Sequence, residues 1–525
     1  MFKRLFLPLL ALAVATVFFA SCSKDDDFRE ITGVSFSNPP TVLSPGKTQR
    51  LQVNVFPGDV QAPYTLVFSS SNPQVATVDA QGNLRAVADG QTVIEVSVAQ
   101  RPEISARFTL TVRTVPVERI VLSGTRENLL VGDFYTLTAK TEPADATETA
   151  TLVFSSSAPQ VATVDAQGKV TALAEGTSVI TVTMREKPSV SASFTLTVKP
   201  VYKAPQNTRF RKVAYYPSYR NLTPAGIPDE NLKMIDVACY SFATLNDNYT
   251  LSVQQPERLR AFAARCKALG VKVLICFGGG GSGSKGTYTK MTESPATRAT
   301  FIRSLREIVE TYDLDGVDND WEYPRTTDGS DKGNTALMRE LSAWLHDPAV
   351  GKMLTMAIAS GQYEGAVASA IQDECFEYVD WFNVMCYDNY LGWAEKKPAP
   401  DPLEMFKIAY KYWVEKRHVP ASKFVAGISA YGRPSDEQHN GTPMAYAEIL
   451  RQGGDPDGFQ ASVSSSSYSG PIYYNGRPFV RQKARYCIDQ GVGGIMFWEA
   501  GQDSQDEYSL IRAAYEEVGD YSLLP

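Results

Sequence analysis

Hydrophobic and polar positions follow two different rhythms along this chain. Between residues 31 and 199, short apolar runs alternate residue by residue, as at Thr92, Ile94, Val96, Val98 and at Phe108, Leu110, Val112. Turn residues such as Gln81-Gly82 and Asp89-Gly90 separate them. Alternation with period two gives a strand one apolar and one polar face, so these runs predict short strands packed as a β-sandwich. The segment TLVFSSSNPQVATVDAQGNL from Thr65 returns as TLVFSSSAPQVATVDAQGKV from Thr151, a period of 86 residues. Two copies of one domain are expected, over 31–114 and 115–199. Neither contains Cys or Trp, so closure must rest on aliphatic packing.

After a connector over 200–211 the rhythm changes. Continuous apolar runs now alternate with segments of helical period, the pattern of a parallel sheet wrapped by helices. Eight runs stand out: VAYY from 213, MIDVACYSFA from 234, VKVLICFGG from 271, LDGVDNDWE from 314, MLTMAIAS from 353, WFNVMCYD from 381, FVAGISAYG from 424 and GGIMFW from 493. The spacing of Phe301, Ile302, Leu305, Ile308 and Val309, and of Leu337, Leu341, Trp344 and Leu345, predicts helices on either side of the fourth run. Eight strand-helix repeats in about 310 residues fit an α/β TIM (β/α)8 barrel over 212–520, with an open doubly wound sheet as the competing arrangement.

Composition adds a compartment and removes some partners. Lys3 and Arg4 precede an apolar run from Leu5 to Phe19, too short to span a membrane, so residues 1–21 read as an export signal. The sequence Phe19-Ala20-Ser21-Cys22 resembles the bacterial lipoprotein box, which implies lipidation of Cys22 and a membrane attachment through it. The tether over 22–30, with Ser23-Lys24-Asp25-Asp26-Asp27, resembles the tract that sends Bacteroidetes-type lipoproteins to the outer face of the outer membrane. A net charge of -7 and a pI near 5.3 leave no basic footprint for nucleic acid. Six further cysteines all lie beyond residue 212, and Cys239, Cys276 and Cys386 sit inside apolar runs, so buried thiols are expected rather than a disulfide framework. The three histidines have no metal-ligand spacing, and no metal or cofactor is implied.

The serine run, VATVD and the glycine-led strand after it resemble bacterial Ig-like group 2 domains. These read as spacers, with a carbohydrate-binding module as the alternative.

The chemistry concentrates in the fourth run. In a strand, Asp318, Asp320 and Glu322 share one face while Val317, Asn319 and Trp321 share the other. Like charges this close force at least one carboxyl to hold a proton, and the C-terminal ends of barrel strands carry the active sites of this fold. A Mg²⁺ or Ca²⁺ site and a purely structural polar network are the competing readings. DGVDNDWEYP, Asp315 to Pro324, resembles the Asp-x-x-Asp-x-Asp-x-Glu signature of family 18 glycoside hydrolases. KVLICFGG (Lys272–Gly279), MCYD (Met385–Asp388), AYGR (Ala430–Arg433) and MFWEAGQD (Met496–Asp503) resemble other motifs of that family, in the right order.

The resemblance implies a chitinase-like hydrolase of β-1,4-linked N-acetylglucosamine, working with retention through an oxazolinium ion formed by the substrate's own acetamido group. It implies Glu322 as proton donor, Asp320 as the group that orients the acetamido N–H, and Asp318 as its proton-sharing neighbour. Tyr387 and Asp388 would hold the acetamido group, and Trp498 would floor the distorted sugar. Met385, Tyr215, Phe242, Tyr431 and Arg433 fall on lesser contacts, and Asp315, which opens the signature, is grouped with the substrate-binding residues. Cys276 stands where the family has serine, and Asn319 where it has an aliphatic residue. An endo-β-N-acetylglucosaminidase acting on N-glycan cores is the alternative, although position 388 is there often asparagine. A sugar-binding protein without catalysis is the other, although such members lose the acid that Glu322 supplies. The Gly278–Gly283 run lacks the Gly-Lys-Ser/Thr ending of a phosphate loop and is expected to let backbone approach sugar. The spacing of the last two runs leaves about 60 residues, ordinary for one loop and helix, so no extra α+β insertion and an open, shallow cleft are expected.

Overall fold

The computed structural model describes residues 30–60, 63–205, 209–282, 286–388, 402–434, 439 and 441–521. The export signal, Cys22 and the Ser23–Asp27 tract lie outside the described residues.

Each repeat is a small β-sandwich. In the first, Val42–Leu43, Arg101–Val112, Gly90–Val98 and Leu66–Ser70 form one sheet and Thr48–Arg50, Asn83–Ala86 and Ala76–Val78 another. The second copy repeats this with Asn128–Leu130, Lys187–Lys199, Gly176–Met184 and Leu152–Ser156 against Phe134–Thr136, Lys169–Ala172 and Ala162–Val164. Registers correspond as well: Phe68 lies opposite Val96, and Phe154 opposite Val182. Leu84, Ile94, Val96 and Leu110, with their counterparts Val170, Ile180, Val182 and Leu196, have no exposed surface, so closure does rest on aliphatic side chains.

Two polar devices explain the most repeated residues. The buried Thr92 hydroxyl shares a hydrogen bond with Ser70 Oγ at 2.8 Å and accepts from the Asn72 N–H at 3.0 Å; Ser178 does the same with Ser156 and the Ala158 N–H. The VDAQG turn is closed by Asp79 Oδ1 accepting from the Gln81 and Asn83 N–H groups, as Asp165 does from Gln167 and Lys169. Gly82 and Gly168 follow with φ of 77° and 82°, a conformation that side chains resist.

The eight predicted runs become eight parallel strands: β1 (Arg211–Pro217), β2 (Val237–Leu245), β3 (Lys272–Gly279), β4 (Gly316–Trp321), β5 (Met353–Ala359), β6 (Trp381–Met385), β7 (Phe424–Ser429) and β8 (Gly494–Trp498). Val213 on β1 pairs with both Val237 on β2 and Met496 on β8, which closes the barrel and excludes an open sheet. Alternation sorts the side chains into two layers. Val213, Tyr215, Leu274, Cys276, Val425 and Met496 fill the barrel interior, while Ala214, Val273, Ile275, Phe277, Ala426 and Ile428 pack under the helices. The helix Pro295–Thr311 starts where Ser294 Oγ accepts from the Thr297 N–H and proline fills its first position; it buries Phe301, Leu305, Ile308 and Val309. Helix Ser330–Leu345 buries Leu337, Leu341, Trp344 and Leu345, as its period requires. Asp503 fixes the start of helix Leu510–Val518 by accepting from Ser509 Oγ at 2.6 Å and from the Leu510 and Ile511 N–H groups. All six described cysteines are buried, and no disulfide joins any two of them.

One expectation fails. Between β7 and β8, strands Met444–Ala445, Tyr431–Pro434, Ser469–Tyr473 and Gln460–Ser464 form an antiparallel sheet beside helix Tyr446–Arg451, so a compact α+β insertion is present. These strands, two to five residues long, contain none of the continuous apolar runs that mark the barrel strands.

Candidate active site

The inward phase of β4 carries Asp318 and Asp320, and Glu322 follows one residue past the strand. The three carboxyls meet different surroundings. Asp318 has no exposed surface and is bonded on both oxygens: Oδ2 accepts from Tyr215 OH at 2.7 Å and Cys276 Sγ at 3.1 Å, and Oδ1 from Asn383 Nδ2 at 3.1 Å and the Thr355 hydroxyl. Burial raises its pKa, and these four donors oppose the rise. Asp320 is also buried, but its Oδ1 has no hydrogen-bond partner. Burial, then the neighbouring Glu322 and Asp318 charges, push Asp320 well above the usual carboxylate range. Burial likewise raises Glu322, whose carboxyl accepts from the Tyr323 hydroxyl and whose N–H donates to Ser282 Oγ at 3.0 Å. The ladder therefore runs from a fully bonded carboxyl at the bottom to two carboxyls at the mouth that burial raises above their ordinary range.

Asp320 and Glu322 open into a cleft of about 540 Å³ that Met385, Tyr387, Asp388 and Trp498 also line. Tyr387 packs against β7, where a Cβ on Gly427 would come within 2.7 Å of its Cε1; glycine makes the room. Asp388, at φ 59°, accepts on Oδ1 from both Tyr431 OH and Arg433 Nε at 2.6 Å. Tyr431 and Arg433 are thus braces behind Asp388, buried rather than facing the cleft. Trp498 is wedged between Tyr215, whose ring meets it edge-on at 5.3 Å, and Phe242 at 6.0 Å. Non-prolyl cis peptide bonds occur at Ser241-Phe242 within β2 and at Glu322-Tyr323 and Trp498-Glu499, at the mouth ends of β4 and β8.

Two sequence expectations need correction. Asp315 precedes β4 at the opposite end of the barrel from the cleft, where its carboxylate accepts from Lys272 Nζ at 2.8 Å and the Val273 N–H at 2.9 Å; it ties β3 to β4 and does not line the cleft. In the glycine run, Gly278 and Gly279 make room for protein, since a Cβ on Gly278 would meet the Asp320 carbonyl at 2.2 Å and one on Gly279 the Phe242 ring at 2.7 Å, whereas Gly280 lines the cleft beside Glu322. Asn319 faces outward as expected and bonds Asn334 Oδ1 at 3.1 Å.

Sequence reasoning missed Thr355, Asn383 and Tyr323, and the Ser360–Tyr363 segment that lines the cleft beyond β5. Thr355 and Asn383 did carry a signal, since each is polar at an inward position of an otherwise apolar strand. Among the described residues no group of three His, Cys, Asp or Glu side chains is placed to hold a metal ion.

The family described as glycosyl hydrolases family 18 matches residues 211–503, more than half of the chain, and bacterial Ig-like domain (group 2) matches 30–104 and 116–194. Probable chitinase 10 of Drosophila melanogaster is 26% identical over 367 residues, 58% of this chain but only 16% of that protein's length. The class V chitinase CHIT5a of Medicago truncatula is 27% identical over 291 residues, 48% of this chain and 74% of its own. Among solved structures, a chitinase from Bacteroides thetaiotaomicron is 23% identical with a TM-score of 0.50, covering 59% of this chain and 96% of that one. A Cycas revoluta chitinase solved with (GlcNAc)4 is 24% identical with a TM-score of 0.50, covering 59% and 100%; both share the barrel fold. With its acid ladder, its closed barrel and these matches, the chain belongs to glycosyl hydrolases family 18, with two group 2 Ig-like domains ahead of the barrel.

Proposed function

We propose that the barrel hydrolyses β-1,4-linked N-acetylglucosamine chains with retention, Glu322 acting as acid and the substrate's acetamido group as nucleophile. The observation that carries this reading is the unpartnered Asp320 Oδ1 at the mouth of the barrel, beside a Glu322 carboxyl that burial raises above its ordinary value. An acceptor without a donor is costly when buried, so the site favours a ligand that brings an N–H to it. An acetamido N–H at that point would align its carbonyl oxygen with C1 of the same sugar. Glu322 gives its proton to the glycosidic oxygen as the C1–O bond breaks, the carbonyl oxygen closes on C1, and Asp320 steadies the resulting oxazolinium N–H. Water then attacks C1 with Glu322, now a carboxylate, taking its proton. Tyr387 and Asp388 flank the same cleft and suit an acetamido group, and Trp498 offers an apolar ring face to the sugar.

The test is release of an aryl alcohol from an aryl di-N-acetylchitobioside by wild type and Glu322→Gln. A fall in kcat of about 10²–10⁴, the worth of general acid catalysis, supports the assignment. Wild type without activity, or Glu322→Gln with full activity, would refute it. We further propose an exported, surface-exposed lipoprotein, supported by the box ending at Cys22. Palmitate should label wild type and not Cys22→Ala, and equal labelling of both would contradict the anchor.

A further inference from the structure

Beneath the cleft, one side chain acts on the acid ladder without being able to touch a sugar. Cys276 occupies the inward phase of β3, and the parallel register sets it beside Asp318 on β4. Its Sγ donates to Asp318 Oδ2 at 3.1 Å, and the residue has no exposed surface. The same oxygen accepts from Tyr215 OH at 2.7 Å, while Thr355 and Asn383 serve Oδ1. Strands β1, β3, β5 and β6 thus each supply a donor to one buried carboxyl. Three of those donors are a phenol, an alcohol and an amide; the fourth is a thiol, the weakest of the set.

We infer that Cys276 is a positioning residue that tunes the negative charge held by the Asp318–Asp320 pair, leaving it less firmly anionic than an alcohol at the same point would. This rests on the hydrolase reading above. The path is short: the thiol bonds Asp318, Asp318 stands two residues below Asp320 on the same face, and Asp320 lines the cleft. The titratable groups facing the pair are Tyr215 from β1, Cys239 from β2 and Cys276 itself at Asp318, and Glu322, Tyr288, Tyr323 and Tyr387 at Asp320, the same in wild type and both variants; Thr355 and Asn383 are neutral. Burial raises Tyr215, Cys239 and Cys276 well above their ordinary values, so all three stay neutral while the aspartates change charge. A merely packing role, the ordinary fate of a buried thiol, would be served as well by any small side chain and would leave the titration of the pair unmoved.

The pH dependence of kcat/KM toward the aryl chitobioside, compared among wild type, Cys276→Ser and Cys276→Ala, separates the two. The active enzyme carries one negative charge on the pair, so the acidic limb marks the loss of that charge. Serine should lower the midpoint of this limb by about half a pH unit and alanine should raise it by a similar amount, part of the net worth of one hydrogen bond. KM should stay within about twofold of wild type in both variants, because neither change touches the ground-state sugar. Coincident profiles overturn the inference. Serine nearly matches the thiol in size, so Cys276→Ser alone decides the matter if the alanine variant fails to fold. A second readout needs no turnover: the infrared difference between wild type and Cys276→Ser isolates one S–H stretch. A band shifted to low frequency by the carboxylate is expected, and a band at the free-thiol position overturns the inference. An enzyme inert toward the glycoside would therefore sink the hydrolase reading alone, with the infrared band still deciding the role of Cys276.

Discussion

Asp318, Asp320 and Glu322 are separated by one residue each, yet one finds four donors, one finds a bare acceptor and one finds a tyrosine hydroxyl. That difference has a sign for stability. Asp320 is raised in the fold above its unfolded value, so its contribution is fully present below the unfolded pKa and is lost as pH rises through the folded one. Asparagine cannot ionise. Asp320→Asn should therefore melt with wild type near about pH 4 and gain about 2–4 °C over it by about pH 8, the shift expected from roughly 1 kcal/mol. On the proposed mechanism the same variant should lose about 10²-fold or more in kcat, since an amide steadies the oxazolinium N–H less than a carboxyl does. Calorimetry across pH checks the first part, and equal melting points at both ends would contradict it. The acids were legible because strand alternation alone puts Asp318, Asp320 and Glu322 on one face. Asp315 was misjudged because sequence proximity to a motif does not tell which end of a strand a residue occupies. Tyr431 and Arg433 were placed in the right neighbourhood, but only the fold reveals that each gives a donor to Asp388.

At the level of elements, the eight barrel strands were readable because runs of five to nine residues leave a clear apolar signature. The insertion between β7 and β8 was not, since its order depends on pairings between strands far apart in sequence, such as Arg433 with Tyr473. Helix Leu510–Val518 shows how much one side chain can decide. Asp503 is buried and holds the Ser509 hydroxyl and the Ser504, Leu510 and Ile511 N–H groups, so removing it strands four donors at once. Asp503→Ala should cost about 2–4 kcal/mol, more than one ordinary hydrogen bond, because buried donors lose their acceptor with no water to replace it. Urea unfolding measures this, and a loss below about 1 kcal/mol would show that the helix start is held by apolar packing instead.

For the whole molecule, the sequence separated the two repeats from the barrel through a change of period, and the resemblance carried over residues 211–503. What the repeats do for the barrel is a question of function that strand patterns do not answer. Their inner faces are aliphatic and neither copy contains tryptophan, so a spacer role is expected. Removal of residues 30–199 should leave kcat/KM on a soluble chitobioside within about twofold of the full chain, and adsorption to insoluble chitin unchanged. A marked drop in adsorption would instead assign the repeats to polymer binding.

The likeness of the two copies has a consequence for how the chain reaches its native state. Their shared segments differ at three of twenty positions, and strand Leu66–Ser70 meets Gly90–Val98 in the same register in which Leu152–Ser156 meets Gly176–Met184. A strand released by one copy therefore finds an equally good ladder in the other. Selection among pairings must then come from timing: the first copy emerges from the ribosome and closes before its double has been made.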